Sequence, residues 1–150
     1  MNRFGLACIA MIVFSSAALA ENGLISIQSA HDVKTTADRL ESSLTSKGMT
    51  LFNRIDHAAA ARKVDKTLRP TELVLFGNPK VGTPLMQCGQ SVAIELPLKA
   101  LIYEDESGQV WLAYNDPVYL ARRHSITGCI EVIRKMSGAL GNFAKQATMP

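Results

Sequence analysis

A long amphipathic stretch near the carboxyl end of the chain places the strongest limit on its fold. Apolar residues recur there at helical spacing: Ile126, Ile130, Ile133, Met136, Leu140 and Phe143. A helix with one apolar stripe needs another layer against which the stripe can pack. A shorter stripe of Val33, Ala37, Leu40 and Leu44 predicts a second such helix. The fold must therefore offer an apolar surface that is wide enough for two helices.

The other segments supply that surface as β-strands. Strands are predicted at 23–28, 49–56, 72–76, 91–104 and 109–114, and short helices at 57–64, 85–87 and 118–124. The turn at 105–108 joins the last two strands as a hairpin, which makes them antiparallel. The sequence thus predicts an α+β fold of β-α-β(4)-α type: a mostly antiparallel sheet with the two main helices packed on one face.

The predicted helix starts depend on capping residues. Ser29 is predicted to begin the first helix, with Asp32 as its capping-box partner. Thr83 is a suitable N-cap because Pro84 follows it, and Asp116 with Pro117 has the same form. Pro97 marks an edge position or a bulge within the long strand at 91–104.

The first twenty residues predict a cleavable signal peptide. Arg3 provides the positive start, residues 6–14 are apolar and uncharged, and Ala18-Leu19-Ala20 is a small-x-small cleavage pattern. The apolar run is shorter than the about 20 residues that span a bilayer. An uncleaved anchor is the alternative. We expect residues 1–20 to be removed and residues 21–150 to form one periplasmic or secreted domain, with no stable membrane insertion.

The charge pattern argues against a nucleic-acid partner. Removal of Arg3 with the signal peptide lowers the formal net charge from +3 to +2, and basic residues are interspersed with acidic ones. Such a distribution creates no strong positive field for a nucleic acid or an anionic membrane.

Two cysteines, Cys88 and Cys129, remain once the signal peptide, which contains Cys8, is removed. Outside the cytoplasm disulfides persist, so the two could be bonded to each other. The alternative is a pair of buried free thiols on different elements, since sequence alone does not supply the geometry of a disulfide.

Six short segments share an order and spacing that resemble the domain of unknown function family 302. They are Asp56-His57-Ala58, Leu75-Phe76-Gly77-Asn78-Pro79-Lys80, Gly82-Thr83-Pro84-Leu85-Met86, Leu96-Pro97-Leu98-Lys99, Tyr114-Asn115-Asp116-Pro117 and Arg123-His124. The resemblance implies a helix-grip α+β fold, like that of TATA-box-binding proteins, and a homodimer. It implies no activity, cofactor or other partner, and a fold name alone does not imply DNA binding.

Two histidines are candidate site residues. Asp56 could orient the His57 imidazole for acid–base or metal chemistry, or could instead cap the short helix that follows. His124 ends a helix, where a cationic imidazole interacts well with the helix dipole. Alternatively, His57 and His124 together ligate a metal or haem, although two histidines do not complete a zinc site.

Two polar segments are the other candidates. Asn78 and Lys80 lie in the glycine-containing segment 77–83, which could hold an anion or could be an ordinary turn. Tyr114 and Asn115 end a strand and could face a cleft together with Arg122 or Arg123.

These residues favour a non-enzymatic binding module for a small ligand or metal in a cleft between sheet and helix, with His57, Tyr114 and His124 nearby. An enzyme of unknown reaction that uses Asp56 and His57 is one alternative, and a protein-interaction or dimerisation domain is another. No catalytic residue or cofactor is assigned, because there is no Gly-x-Ser-x-Gly and nothing singles out a serine beside a histidine.

Overall fold

Six strands form one antiparallel sheet in the computed structural model, which describes residues 18–19 and 22–150, and five of these strands overlap predicted ones. The strands are β1 (Ala18–Leu19), β2 (Leu24–Gln28), β3 (Thr50–Asp56), β4 (Thr71–Gly77), β5 (Leu98–Glu104) and β6 (Val110–Asn115). Their order across the sheet is β1-β2-β6-β5-β4-β3, so β3 forms one edge. Apart from Ala18 and Leu19, the predicted signal peptide lies outside the described residues.

Two long helices cover one face of this sheet, which confirms the predicted α+β class. The helices are α1 (Val33–Ser46), α2 (His57–Arg62), α3 (Pro79–Cys88), α4 (Pro117–Arg123) and α5 (Ile130–Thr148), and a 3₁₀ helix spans Gln90–Glu95. α1 and α5 pack against each other and share a buried core with β4, β5 and β6.

The α1 stripe is buried as its helical spacing predicts. Leu40 is 1% exposed and Leu44 is fully buried, and both belong to the same core cluster as Phe76 and Ile102 of the sheet. Full burial of such a side chain contributes about 1.5–3 kcal/mol of transfer free energy. The stripe is therefore what attaches α1 to the sheet.

The opposite face of the sheet, which we call the open face, is also apolar. Because side chains alternate along a strand, the neighbours of buried Val74 and Ile102 point away from α1 and α5. The open face carries Ile55, Leu73, Leu75, Leu101, Tyr103 and Trp111, all partly exposed.

Two helices begin elsewhere than the sequence predicts. α1 begins after Asp32, whose carboxylate accepts from the Thr35 amide at 2.7 Å, and not at Ser29, whose hydroxyl hydrogen-bonds Thr36 instead. α3 begins after Asn78 with Pro79 at N1, so the predicted start at Thr83 and Pro84 lies inside the helix. The cap that is used lies three residues after the predicted one in α1 and five residues before it in α3.

Only the second half of the predicted strand at 91–104 forms a strand. Its first part forms the 3₁₀ helix, and β5 begins at Leu98, since Pro97 has no N–H for a sheet hydrogen bond. The helix predicted at 126–144 is also shifted, because Gly128 has a φ of +92° and breaks it. α5 therefore begins at Ile130, which is 73% exposed and leaves the predicted stripe.

The predicted hairpin turn is confirmed, and one carboxylate organises it. Asp105 accepts from the Ser107 hydroxyl at 2.6 Å, the Trp111 indole at 2.7 Å and the backbone amides of Ser107 and Gln109. These hydrogen bonds lower the pKa of Asp105 to about 2, and the bond from the Ser107 hydroxyl has the largest effect. The carboxylate therefore stabilises the turn at neutral pH, and this contribution is lost only as the pH falls from about 3.8 through about 2.

Candidate functional site

His57 and His124 lie at opposite ends of the sheet. The residue before His57 pairs with Glu72 near the start of β4. His124 instead contacts the 3₁₀ helix that leads into Leu98, and Leu98 pairs with Phe76 near the end of β4. The two imidazoles cannot share a ligand, so the predicted His57–His124 pair is not brought together.

The Asp56-His57 pair has the capping arrangement that the sequence left open. The Asp56 carboxylate accepts from the Ala59 amide at 2.7 Å and caps α2, which His57 begins. The carboxylate is thus engaged with the helix backbone, and Arg62 lies 4.0 Å from its other oxygen.

Asn78 has a positioning role at the start of α3. Its side-chain oxygen accepts from the Lys80 amide at 2.9 Å, and its amide nitrogen donates to the Gly48 carbonyl at 3.2 Å. The segment predicted as an anion-binding turn is therefore mostly helix, and Lys80 is exposed on its first turn.

Tyr114 points into the helix-covered side of the sheet. It is buried, and this burial, together with the charge of Asp116, raises its pKa above the ordinary value. It lines a cavity of about 630 Å³ with Ile25 and Lys145, whereas Asn115 is half-buried at the end of β6. Tyr114 and Asn115 thus face opposite sides of the sheet.

A second cavity lies on the other side of α5, and we call it the α5 groove. It has a volume of about 500 Å³ and lies between α5, the ends of α1 and β4, and the starts of α3 and β5. Most of its wall is apolar: Met49, Phe76, Val81, Leu98, Met136, Ala139, Leu140 and Phe143. Among the predicted site residues it includes Asn78 alone.

The rim of the α5 groove is polar and positively charged. Its polar residues are Lys47, Asn78, Lys135, Asn142 and Gln146, and no carboxylate is among the described residues that line it. Lys47 and Lys135 are both exposed, and the side-chain oxygen of Gln146, Oε1, accepts from the Ser43 hydroxyl. The arrangement can bury an apolar group and offer two ammonium groups to a negative one.

A second cluster surrounds His124. Its Nδ1 lies 3.0 Å from the Ser91 hydroxyl, and its Nε2 lies 3.0 Å from a carboxylate oxygen of Glu95, which also lies 3.4 Å from Arg123 Nε. Sequence reasoning selected His124 and Arg123 but missed Ser91 and Glu95. No spacing signal could have found them, since they are 33 and 29 residues from His124.

A comparison with protein families agrees with the geometry of the fold. The family model described as "Domain of unknown function DUF302" matches residues 25–143. The chain belongs to the DUF302 family. This confirms the family resemblance of the six sequence segments.

A solved DUF302 protein shares the fold. The crystal structure of an uncharacterized conserved DUF302 protein from Bacillus stearothermophilus superposes with a TM-score of 0.75, covering 83% of this chain and 98% of that one. The two sequences are 16% identical, so this likeness concerns the fold alone.

Curated relatives of this DUF302 chain are named as fluoride-specific ion channels. FluC 1 of Brucella suis biovar 1 (strain 1330) is 42% identical over 132 residues, which cover 87% of this chain and 52% of that protein. FluC 1 of Brucella abortus biovar 1 (strain 9-941) is also 42% identical, with 49% of its length covered. The chain thus spans about half the length of these relatives. Among its own described residues, no helix is both long and apolar enough to cross a membrane.

Cys88 and Cys129 of the DUF302 domain form a disulfide. Their Cα atoms are 6.3 Å apart, and the bond joins the last residue of α3 to the residue before α5. Both helices contribute to the wall of the α5 groove, so the disulfide fixes one side of it.

Within residues 18–19 and 22–150, no group of three or more His, Cys, Asp or Glu side chains is placed to hold a metal ion.

Proposed function

We propose that this DUF302 domain is a binding module for a small anion with an apolar body, held in the α5 groove. One observation supports this most directly: a groove of about 500 Å³ has apolar walls, two lysines on its rim and no lining carboxylate among the described residues. Ligand sites are typically concave, mostly apolar and equipped with a few polar groups that fix orientation.

The two parts of such a ligand would have separate contributions. An apolar chain or ring gains about 25 cal/mol for each Å² of its surface that leaves water. Each exposed lysine contributes about 0.2–1 kcal/mol to a salt-screened ion pair with the negative group. The apolar body therefore supplies most of the affinity, and Lys47 and Lys135 select the sign of the charge.

Fluoride, which the curated relatives' names mention, is outside this proposal. The chain matches only about half of each relative, and a small hydrated ion has no apolar surface with which to gain from such walls. Dehydrating an ion without full replacement of its hydrogen bonds costs several kcal/mol.

Two ligands with the same apolar body and opposite charges test the proposal. Isothermal titration of the mature protein with decanoate should give saturable binding, whereas decyltrimethylammonium should bind at least about 10-fold more weakly. The double variant Lys47→Gln/Lys135→Gln should weaken decanoate binding by about 10-fold, because it removes the free energy of two exposed ion pairs.

Matched variants separate the groove from the general surface. Lys66→Gln, in the loop that leads into β4, should leave binding unchanged, since Lys66 is exposed and does not line the groove. Ala139→Trp should block binding of decanoate because it fills the groove from an exposed position on α5. Equal affinity for both charges, or full binding in Ala139→Trp, would contradict the proposal.

We also propose that the domain works in the periplasm or as a secreted protein. The three-part pattern at residues 1–20 supports export. The Cys88–Cys129 bond supports it independently, since disulfides persist in oxidising compartments and are rare in the cytosol.

A homodimer formed through the open face is the second candidate function. Leu73 pairs with Leu101, and Tyr103 with Trp111, so apolar side chains lie side by side across three strands. Contiguous apolar patches of this kind mark interaction sites. Within the described strands, one charged residue is paired in this row, Lys99, and its ammonium group donates to the Glu95 main-chain carbonyl at 3.1 Å.

Substitution at the centre of the open face tests the dimer. In sedimentation equilibrium the wild type should have twice the mass of the mature chain, and Leu101→Lys should be monomeric because two like charges would meet at the interface. Val118→Lys, at a 45% exposed position on α4, is the control and should remain dimeric. A monomeric wild type at high concentration, or a dimeric Leu101→Lys with native circular dichroism, would exclude this interface.

A further inference from the structure

The cluster around His124 has the parts of an activated nucleophile. The Ser91 hydroxyl, the His124 imidazole and the Glu95 carboxylate form a continuous chain of two hydrogen bonds, each 3.0 Å long. A hydroxyl bonded to an imidazole that is itself held by a carboxylate is the arrangement by which serine becomes nucleophilic, and it is recognised by geometry and not by sequence order.

The partners of His124 determine its tautomer. A carboxylate only accepts hydrogen bonds, so the nitrogen that faces Glu95, Nε2, carries the hydrogen. In the neutral imidazole Nδ1 then has a free lone pair and accepts from the Ser91 hydroxyl. His124 is therefore oriented to take a proton from Ser91.

Burial differs along the cluster in the way that such a reaction needs. The side chains of His124 and Glu95 are 10% and 11% exposed, so water competes little for the bond between them. Ser91 is exposed on the 3₁₀ helix and can be reached from solvent. Arg123, 3.4 Å from the same Glu95 oxygen and 59% exposed, adds a positive charge beside the site.

We propose that Ser91 is the nucleophile of an acyl-transfer site that accepts small, activated esters. Its Oγ attacks the acyl carbon while the proton moves to His124 Nδ1. The ester C–O bond breaks, and the departing alcohol takes that proton. Water then attacks the acyl-serine in the same way and releases the carboxylic acid and free Ser91. Glu95 is a positioning residue that holds the imidazole.

This site is separate from the α5 groove, since none of its residues lines that groove. The proposal therefore stands or falls independently of ligand binding there.

A fluorophosphonate probe, which forms a covalent bond with activated serines, tests the proposal on the mature, disulfide-bonded protein. Intact mass and peptide mapping should find one label, on Ser91, and Ser91→Ala should abolish it. His124→Gln should slow labelling at least about 100-fold, the typical contribution of a general base. Ser107→Ala, at an exposed serine in the hairpin turn, should label like the wild type.

Glu95 is tested by two variants and a second readout. Glu95→Gln presents an amide N–H to Nε2, which favours the tautomer with the hydrogen on Nδ1, and should slow labelling about 100-fold or more. Glu95→Asp should restore part of the rate. The hydrolysis of p-nitrophenyl acetate should show a burst equal to the protein concentration, which Ser91→Ala removes.

Three outcomes would overturn the proposal. The first is a wild type that is not labelled, and the second is a label on another serine. The third is a labelling rate equal to that of the wild type in a His124→Gln variant whose circular dichroism and melting temperature are native.

Discussion

Replacement of Cys88 and Cys129 by serine is expected to lower the free energy of unfolding by about 4 kcal/mol, as loop-closure entropy predicts for a bond across this many residues. The two cysteines are 41 residues apart in sequence, so the bond restricts a long segment of the unfolded chain. That segment contains the 3₁₀ helix, β5, β6 and α4. Loss of the bond therefore gives the unfolded chain more conformational entropy over this segment, and this lowers the free energy of unfolding without removing a native packing contact.

Denaturant unfolding followed by circular dichroism measures this effect. Wild type treated with a reductant should match the Cys88→Ser/Cys129→Ser variant, because both lack the same covalent link. Because serine is close to cysteine in size, lost packing contributes little to the change in the free energy of unfolding. Equal stability of oxidised wild type and double variant would show that the bond does not constrain the unfolded state.

An intact mass of protein purified from a periplasm tests the bond and the export proposal together. The oxidised chain should lack the two thiol hydrogens and should not react with an alkylating agent until it is reduced. Cleavage after Ala20 should give a mature chain that begins at Glu21. Two thiols that alkylate without reductant would contradict the disulfide, and an N-terminus at Met1 would contradict cleavage.

Much of the fold could be predicted from local signals, because the elements concerned are determined by residues that are close together in sequence. The α1 stripe is set by helical spacing alone, and its apolar residues are buried as predicted. The Asp105–Gly108 turn is closed by the side chain of its own first residue, which accepts from Ser107. Asp116 likewise caps α4 by accepting from the Val118 amide two residues on. The turn and cap contacts need no partner that is distant in sequence.

The prediction failed where two local signals competed. Asn78-Pro79 and Thr83-Pro84 both satisfy the rule for a helix start, and the sequence alone favoured the second. Asn78 is used because its amide also donates to the Gly48 carbonyl, 30 residues earlier in the chain. Only the pairing of β3 with β4 brings Gly48 to that place. The choice between two equivalent caps therefore depends on tertiary structure.

The candidate sites were harder to predict than the fold for the same reason. The α5 groove combines side chains from two sheet strands and three helices or their ends, so no segment contains its pattern. The cluster of His124 depends on the 3₁₀ helix, which brings Ser91 and Glu95 within hydrogen-bond distance of one imidazole, whereas a strand would place these two residues roughly 13 Å apart. Residue type identified His124 as a candidate, but its chemistry follows from partners far away in sequence.

Leu40→Ala is expected to lower the free energy of unfolding by about 2.7–5 kcal/mol, the range found for buried leucines. Leu40 is 1% exposed at the centre of the α1 stripe, so the lost methyl groups leave a cavity as well as a lost transfer free energy. Equilibrium unfolding in urea at fixed pH measures the change.

Leu68→Ala is the matched control because it deletes the same atoms at a position that is 46% exposed. Its cost should stay within about 0.5 kcal/mol, as for most surface substitutions. The difference between the two variants isolates burial from side-chain chemistry. Leu40 lies in a helix and Leu68 in a loop, but helix propensity favours alanine over leucine only slightly. Equal costs would mean that the α1 stripe is not the contact that holds this helix on the sheet, and the shape of the α5 groove, which includes the end of α1, would then need another explanation.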